Sequence, residues 1–444
     1  MKYEVIVVGA GIAGLAAAWT LSCAGRSVVV LEAGPGVGGR MCSEKAGEFT
    51  LDRGAQFLSS GYASMMAFAA QAGIGPEAFP ATSAYSAILR GGTPRRIRAS
   101  SPIDILRTGL LGVAGGLAWL KAAWPNRKLI YGASLEDYAA WETVDDLSTA
   151  GWMADGHRQD VLARLLEPML QGLYFQAPEE TSRALSMLVA AYGARGHRTL
   201  ALKNGMGFLP ERLAAGLNVE SDCQVHRIER RSGQVRVHSS HGCWTADQVV
   251  CAVPAPIAQM LLDNQHDIEA DVLATLYACG VNISWMLDGA YEPPKALRDV
   301  YGLLIPRAER HGIAAFAFET TKCEDRGPRH QLVNTMLDDR HAQRVLAFED
   351  SEVVTFASEA LDRILPGMRN HVHDFRVHRW PMAMPKSPVG RARLVSRYRR
   401  QVESARPLVV LAGDYLGAPT TDSALATGVW AARALQGTGQ GYAI

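Results

Sequence analysis

An apolar run, Val5 to Val8, opens onto Gly9-Ala10-Gly11-Ile12-Ala13-Gly14, and a second apolar run, Val28 to Leu31, ends on Glu32. The pattern is a strand, a glycine turn, a helix and a strand closed by an acid. Gly9 permits the tight turn, Gly11 lets the backbone approach a pyrophosphate, and Gly14 lets helix and strand pack closely. The first N–H groups of the helix are left free for phosphate oxygens. Glu32 is placed to accept ribose hydroxyls, and its charge would repel a 2′-phosphate, so the dinucleotide is expected to be FAD or NAD rather than NADP. The expected fold is α/β, with a Rossmann-type domain at its base.

At 444 residues the chain exceeds what one hydrophobic core supports, and about two or three domains are expected. A formal net charge of +1 supplies no overall field to draw in nucleic acid. The seven cysteines are odd in number and contain no C-x-x-C pair, so neither a disulfide framework nor a zinc site is indicated and no metal is expected. The chain enters its first strand by about Tyr3, ahead of any room for a secretory segment, which points to a reducing, cytoplasmic setting.

Residues 60 to 200 carry many Ala and Leu and few β-branched runs, and read as mostly helical. Ile103 to Trp124 is apolar for much of its length. Its uninterrupted part, Gly109 to Leu120, is twelve residues between Arg107 and Lys121, short of the ~20 that span a bilayer. A buried or lid helix is the first reading; Trp119 and Trp124 at the basic end keep an interfacial helix, and peripheral membrane contact, as the alternative. Farther on, Cys223 to Ile228 and Val235 to His238 alternate as a hairpin does, and Ala246 to Val253 reads as a buried strand. Ile283 to Leu287, Ala314 to Phe318 and Leu332 to Leu337 are strand candidates for a second sheet.

Several blocks resemble one family. Gly34, Gly36, Gly38 and Gly39 lead into Arg40, like the G-G-R element of two-domain flavoproteins. Asp52-Arg53-Gly54 resembles the D-x-G segment of the flavin-containing amine oxidase and protoporphyrinogen oxidase superfamily. Glu167 to Phe175 with Pro178 to Ser186 resembles a block of the protoporphyrinogen oxidase branch, in which one helix ends at glycine and the next starts after Pro-Glu-Glu. Asn204 to Leu213 looks like G-G-M-x-x-L-P, Arg379 to Pro385 like R-W-x-x-A-x-P, and Val409 to Gly428 like the C-terminal flavin motif.

The resemblance implies FAD held by Gly9, Gly11, Gly14, Glu32, Gly39, Arg40, Gly54, Ala55, Val225, Gly413, Asp414, Ser423 and Ala424. Ser423 stands where the family commonly has glycine. The substrate side would be formed by Trp380, Asn282, Gln56, Phe57 and Tyr174. The cofactor domain is expected to be discontinuous, at 1–80, 199–262 and 391–444, with a helical lid at 81–198 and a substrate-domain sheet at 263–390. Many relatives carry a lysine near the flavin N5; Leu276 to Leu287 has none, and Cys279, Asn282 and Ser284 are the nearest polar residues. No second glycine fingerprint serves NADPH, so a small hydrophobic substrate is expected to reduce the flavin, with oxygen or another acceptor taking the electrons. No cysteine adjoins the Trp380 or Gly413 motifs, so FAD is expected to be non-covalent. The first functional reading is oxidation of an amine or nitrogen heterocycle at C–N. The alternative is a protoporphyrinogen-oxidase-like or isoprenoid desaturase acting on C–C bonds, and a non-catalytic flavin-binding protein is the remote third.

Overall fold

The computed structural model describes residues 2–82, 85–98, 101–327 and 329–437. Two seven-stranded sheets organise it. In the first, Lys2–Val8 is central, with Val28–Leu31 parallel on one side and Gly242–Cys251 parallel on the other. Val219–Glu220 extends the first edge, and the hairpin Val225–Arg231 with Gln234–Ser239 extends the second. Gly242–Cys251 is long enough to pair with that hairpin along its first half and with Val409–Leu411 along its second. The C-terminal segment thereby returns to the strands with which the chain began.

Two helices, Ile12–Cys23 and Thr421–Gln436, pack together on this sheet. Their approach depends on missing side chains: a Cβ on Gly428 would lie 2.0 Å from the Ala13 carbonyl oxygen, and one on Gly14 would lie 1.9 Å from that of Gly9. Only glycine allows backbone this close to backbone.

The second sheet runs Val372–Pro385, Tyr277–Leu287, Gln331–Leu337, Ile313–Phe318, Val300–Leu304, Tyr85–Arg90, Thr93–Ile97. Its last two strands correct the helical reading of the region after residue 80. Gly91 and Gly92, with φ of 57° and 69°, form a tight hairpin turn there, and Tyr85–Arg90 pairs in parallel with Val300–Leu304. From Pro102 to Ala194 the chain is mainly helical, as expected.

Two local expectations also change. The helix Glu167–Tyr174 does not stop at Gly172 but runs on to Phe175, which closes it at a left-handed φ of 55°. Gly172 serves packing instead, since a Cβ there would meet Leu304 Cδ2 at 2.5 Å. The apolar stretch after Ile103 is buried on one side only: Leu110, Leu111 and Ala122 are buried, whereas Val113, Leu117 and Leu120 are exposed along the helix Val113–Ala123. Among the described residues no helix is long and apolar enough to cross a membrane.

Candidate functional site

A cavity of about 1000 Å³ lies between the two sheets and the helical layer. One half is bounded by the glycine turn. Gly11 begins the first helix with no side chain capping it and with open space where a Cβ would be. Its free N–H groups and lack of bulk form an anion cradle. Glu32 borders the same space, and its two oxygens accept from Ala10 N at 2.7 Å and Gly34 N at 2.9 Å. The carboxylate thus locks the turn to the second strand and retains lone pairs for hydroxyl donors.

Arg40 spans three segments of the chain. It donates to the Ala383 carbonyl at 2.9 Å and to Asp414 Oδ1 at 2.8 Å, and lies 5.8 Å from the Tyr277 ring. Burial, the largest single influence, would lower its pKa, but Asp414 and Tyr277 together outweigh it and hold the pKa above the usual arginine value. Gly54 is required where the loop crosses this arginine, because a Cβ would sit 2.3 Å from the Arg40 carbonyl oxygen, while Ala55 N donates to that oxygen at 2.8 Å.

Gly9, Gly39, Val225, Gly413, Asp414 and Ala424 also line the cavity. Gly14 and Ser423 are not on its wall. Gly14 lies under the turn, and Ser423 is fully buried with its Oγ donating to the Glu136 carbonyl at 3.2 Å. The three-to-four-residue helical period places Thr420, Thr421 and Ala424 on the cavity side instead. A serine where relatives have glycine is therefore no obstacle there. Thr421 Oγ1 is buried without a hydrogen-bond partner in the protein, an acceptor and donor left open at the helix N-terminus. The cradle at Gly11, the acid at Glu32 and the open Thr421 hydroxyl fit a flavin dinucleotide.

In the substrate half, Trp380 Nε1 and Asn282 Nδ2 both donate to the Arg53 carbonyl, at 2.8 and 3.0 Å. Both side chains line the chamber, and Asn282 Oδ1 is buried there with no partner. Phe57 and Tyr174 line it too, with Phe57 edge-on to Tyr301 at 5.5 Å. Phe175, in its left-handed conformation, also faces the chamber; such a backbone costs about 1–3 kcal/mol and persists where the surroundings demand it. Gln56 borders the cavity as well, and its side-chain amide is engaged by the protein. Its Nε2 donates to the Asp52 and Gly54 carbonyls and its Oε1 accepts from Asn334 Nδ2, so its amide is spent on holding the loop.

Behind that loop lies a cluster that sequence reasoning missed. Asp52, Glu319, Lys322 and Arg326 are all fully buried. Lys322 Nζ reaches Glu319 Oε2 at 2.5 Å, Asp52 Oδ2 at 3.3 Å and the Gln56 carbonyl at 3.0 Å, and lies 5.2 Å from the Phe57 ring. Arg326 reaches Asp52 Oδ2 at 3.0 Å and the Leu202 carbonyl at 2.8 Å. Glu319 and Lys322 stand on the short helix Glu319–Lys322 and Arg326 on the separate turn Glu324–Arg326, with Cys323 extended between them, so no single periodicity in the sequence marks the cluster. Also missed were Arg98, Arg127, His197 and Arg198, which line the cavity alongside Trp124 and Tyr131. Burial and the nearby Arg195 depress the His197 pKa below its usual value, so near neutral pH the positive charge in this group comes from the arginines.

Next to Ser423, the buried Asp422 accepts from Met65 N at 2.6 Å through Oδ1, while Oδ2 has no partner. Burial drives its pKa well above the ordinary carboxylate range; the Met65 N–H opposes this and the Glu136 carboxylate adds to it. The folded state therefore keeps a proton that the unfolded chain releases, and stability falls as pH rises from the ordinary range toward the raised value. Asp422→Asn keeps the Oδ1 acceptor and abolishes the titration. It is expected to raise Tm relative to wild type at about pH 8, with the advantage shrinking toward acid pH. Thermal unfolding across pH checks this, and an offset independent of pH would count against it.

A mixed sheet whose parallel centre leads into a glycine-started helix with an acid beside the turn, met by a late helix whose N-terminus borders the same cavity, is the arrangement of a dinucleotide-dependent oxidoreductase. The family model described as flavin containing amine oxidoreductase matches residues 12–436, and the chain belongs to that family of FAD-dependent oxidases. Coproporphyrinogen III oxidase of Mycobacterium tuberculosis is 26% identical over 432 residues, covering 92% of each chain. Protoporphyrinogen oxidase 2 of Arabidopsis thaliana is 21% identical over 484 residues, covering 97% of this chain and 93% of the relative. The structure of cyclohexylamine oxidase from Brevibacterium oxydans superposes with a TM-score of 0.76 at 18% identity, covering 98% and 99% of the two chains. At that identity the likeness speaks for the fold alone.

Proposed function

We propose that the chain oxidises a porphyrinogen carrying carboxylate side chains, using non-covalently held FAD. The observation that carries this reading is the charge of the chamber lining. Among the described residues, the only acids bordering the cavity are Glu32 and Asp414, both in the cofactor half; the rest of the lining is largely apolar and aromatic and carries Arg127 and Arg198, with Arg98 already paired to Asp104 at 2.7 Å. An ammonium finds no counter-charge there; the carboxylates of a flat, apolar macrocycle do. The full-length relatives named for porphyrinogens favour the same side, so the order of the sequence-based expectation, amine first, is reversed.

Bound FAD supplies the acceptor for a hydride leaving the substrate. The chain's own residues position and shield. Trp380, Phe57, Tyr174 and Phe175 wall the macrocycle and exclude water. Asn282 Oδ1 offers an unfilled acceptor to a pyrrole N–H, at the strand where many relatives carry lysine. The N-terminus of Thr421–Gln436, which borders the cavity, would favour negative charge on a cofactor held beside it.

The test is anaerobic mixing of the purified yellow protein with coproporphyrinogen, protoporphyrinogen and cyclohexylamine, following flavin bleaching, then admitting air to identify oxygen as acceptor. Bleaching by the amine and by neither porphyrinogen would overturn the reading. Arg198→Ala is expected to raise KM roughly tenfold for a carboxylate-bearing porphyrinogen with little change in kcat. The corresponding methyl ester should show no such difference.

A further inference from the structure

Among the described residues bordering the cavity there is a single histidine, His197, and the residue after it, Arg198, borders the cavity too. The backbone of this pair is pinned on both sides. His197 N donates to the Tyr192 carbonyl at 3.0 Å, Ser60 N donates to the Arg198 carbonyl at 2.8 Å, and Arg198 N donates to Ser60 Oγ at 2.9 Å. The imidazole is held as well. A Cβ on Gly61 would lie 2.7 Å from His197 Cδ2, so the ring rests against bare backbone there, and the Tyr192 ring stands edge-on to it with centroids 6.0 Å apart.

The groups around this ring are cationic or neutral. Arg195 and Arg198 lie on its own segment, Tyr192 on the helix Arg183–Ala194, and Tyr62, next to Gly61, packs on Tyr192 at 5.8 Å. Glu136 acts on Arg195 and Tyr192, but burial and Arg195 are what act on His197. Arg195 donates to the Ile130 and Ala133 carbonyls at 2.7 and 2.6 Å, which joins this wall to the helix Arg127–Gly132, where Arg127 and Tyr131 also border the cavity. The Tyr192 hydroxyl is buried with no hydrogen-bond partner among the described residues, although Tyr192 lines the cavity. A fixed imidazole, an open phenol donor and an arginine on one wall form a donor set for a carboxylate.

We propose that a substrate carboxylate docks against His197 and Arg198, and that its binding draws a proton onto the imidazole. The inference rests on the carboxylate-bearing substrate proposed above. Before binding, burial and Arg195 disfavour the imidazolium, so the ring is neutral near pH 7. A carboxylate within about 4–6 Å reverses that balance, because an opposite charge favours the charged form. The proton comes from solvent, which reaches the half-buried ring, and the imidazolium then donates to the carboxylate. Affinity therefore rises as pH falls through the raised pKa of the bound state, and levels off below the lower pKa of the free state. A neutral substituent in the same place gains nothing from the proton, so His197 is a specificity-determining residue for carboxylates.

The test is isothermal titration of the FAD-loaded protein with zinc coproporphyrin, a flat tetracarboxylate whose ring nitrogens are closed to protons by the metal. Repeating it in two buffers of different ionisation enthalpy counts the protons taken up. Wild type is expected to take up part of a proton, at most about one, between about pH 6 and about pH 7.5, and to bind more tightly toward acid pH by no more than about tenfold per unit. His197→Gln keeps a hydrogen-bonding side chain and removes the titration. It is expected to take up no proton, and to bind roughly tenfold more weakly than wild type at about pH 6 while approaching it at about pH 8. Proton uptake by wild type is a measurement that needs no variant. Binding by wild type without uptake, or equal uptake in the two proteins, would overturn the inference and leave the substrate reading standing. Absence of binding in both proteins at every pH would remove the two together.

Discussion

Lys322→Met is expected to lower the unfolding free energy by about 3–5 kcal/mol, because it leaves two buried carboxylates to share one guanidinium. The lysine is fully buried and bonds Asp52, Glu319 and the Gln56 carbonyl together. Asp52 in turn accepts from Ser43 Oγ at 2.7 Å and Met206 N at 2.8 Å, so the cluster ties the first sheet's loops to the second sheet. Isothermal denaturation measures the loss. Adding Glu319→Gln restores charge balance around the Asp52–Arg326 pair and is expected to recover a substantial part of it. A single variant as stable as wild type, or a double variant no better than the single, would remove the cluster's assigned role. Because Lys322 also fixes the backbone at Gln56, the single variant should slow substrate-dependent flavin bleaching even when fully loaded with FAD.

Glu32→Ala is expected to weaken FAD retention by roughly 10- to 100-fold in Kd, since charged hydrogen bonds contribute about 1.5–3 kcal/mol. Two effects combine. The Ala10 and Gly34 N–H groups lose their acceptor, which loosens the turn, and the ribose loses its partner. Glu32→Gln keeps one acceptor oxygen and should fall between the two. Flavin content on purification and fluorescence titration of the apoprotein provide the measurement; a mutant purified with unchanged flavin occupancy would disprove the ribose assignment.

The first forty residues were legible because each requirement there is local. A glycine turn, a helix start and an acid after the second strand act within one βαβ unit, and their spacing is fixed by chain geometry. The hairpin at Val225 and the final helix from Thr421 were legible for the same reason. The hairpin at Gly91-Gly92 was overlooked because it adjoins a long helical stretch and its partner, Val300–Leu304, lies far along the chain. Ser423 faces away from the cavity because one residue turns the helix by about 100°, and sequence spacing alone does not set which residue faces in.

The sequence by itself determined the dinucleotide-binding unit, the departure from and return to it, and the absence of a lysine from Tyr277–Leu287. Only the tertiary structure decided that Gln56 holds a loop, that Lys322 stands behind Phe57, and that the arginines at 98, 127 and 198 line one cavity. The reason is physical. A strand–turn–helix motif is specified by neighbours along the chain, whereas burial of charge and the lining of a cavity depend on segments more than a hundred residues apart, whose meeting leaves no period or motif in the sequence.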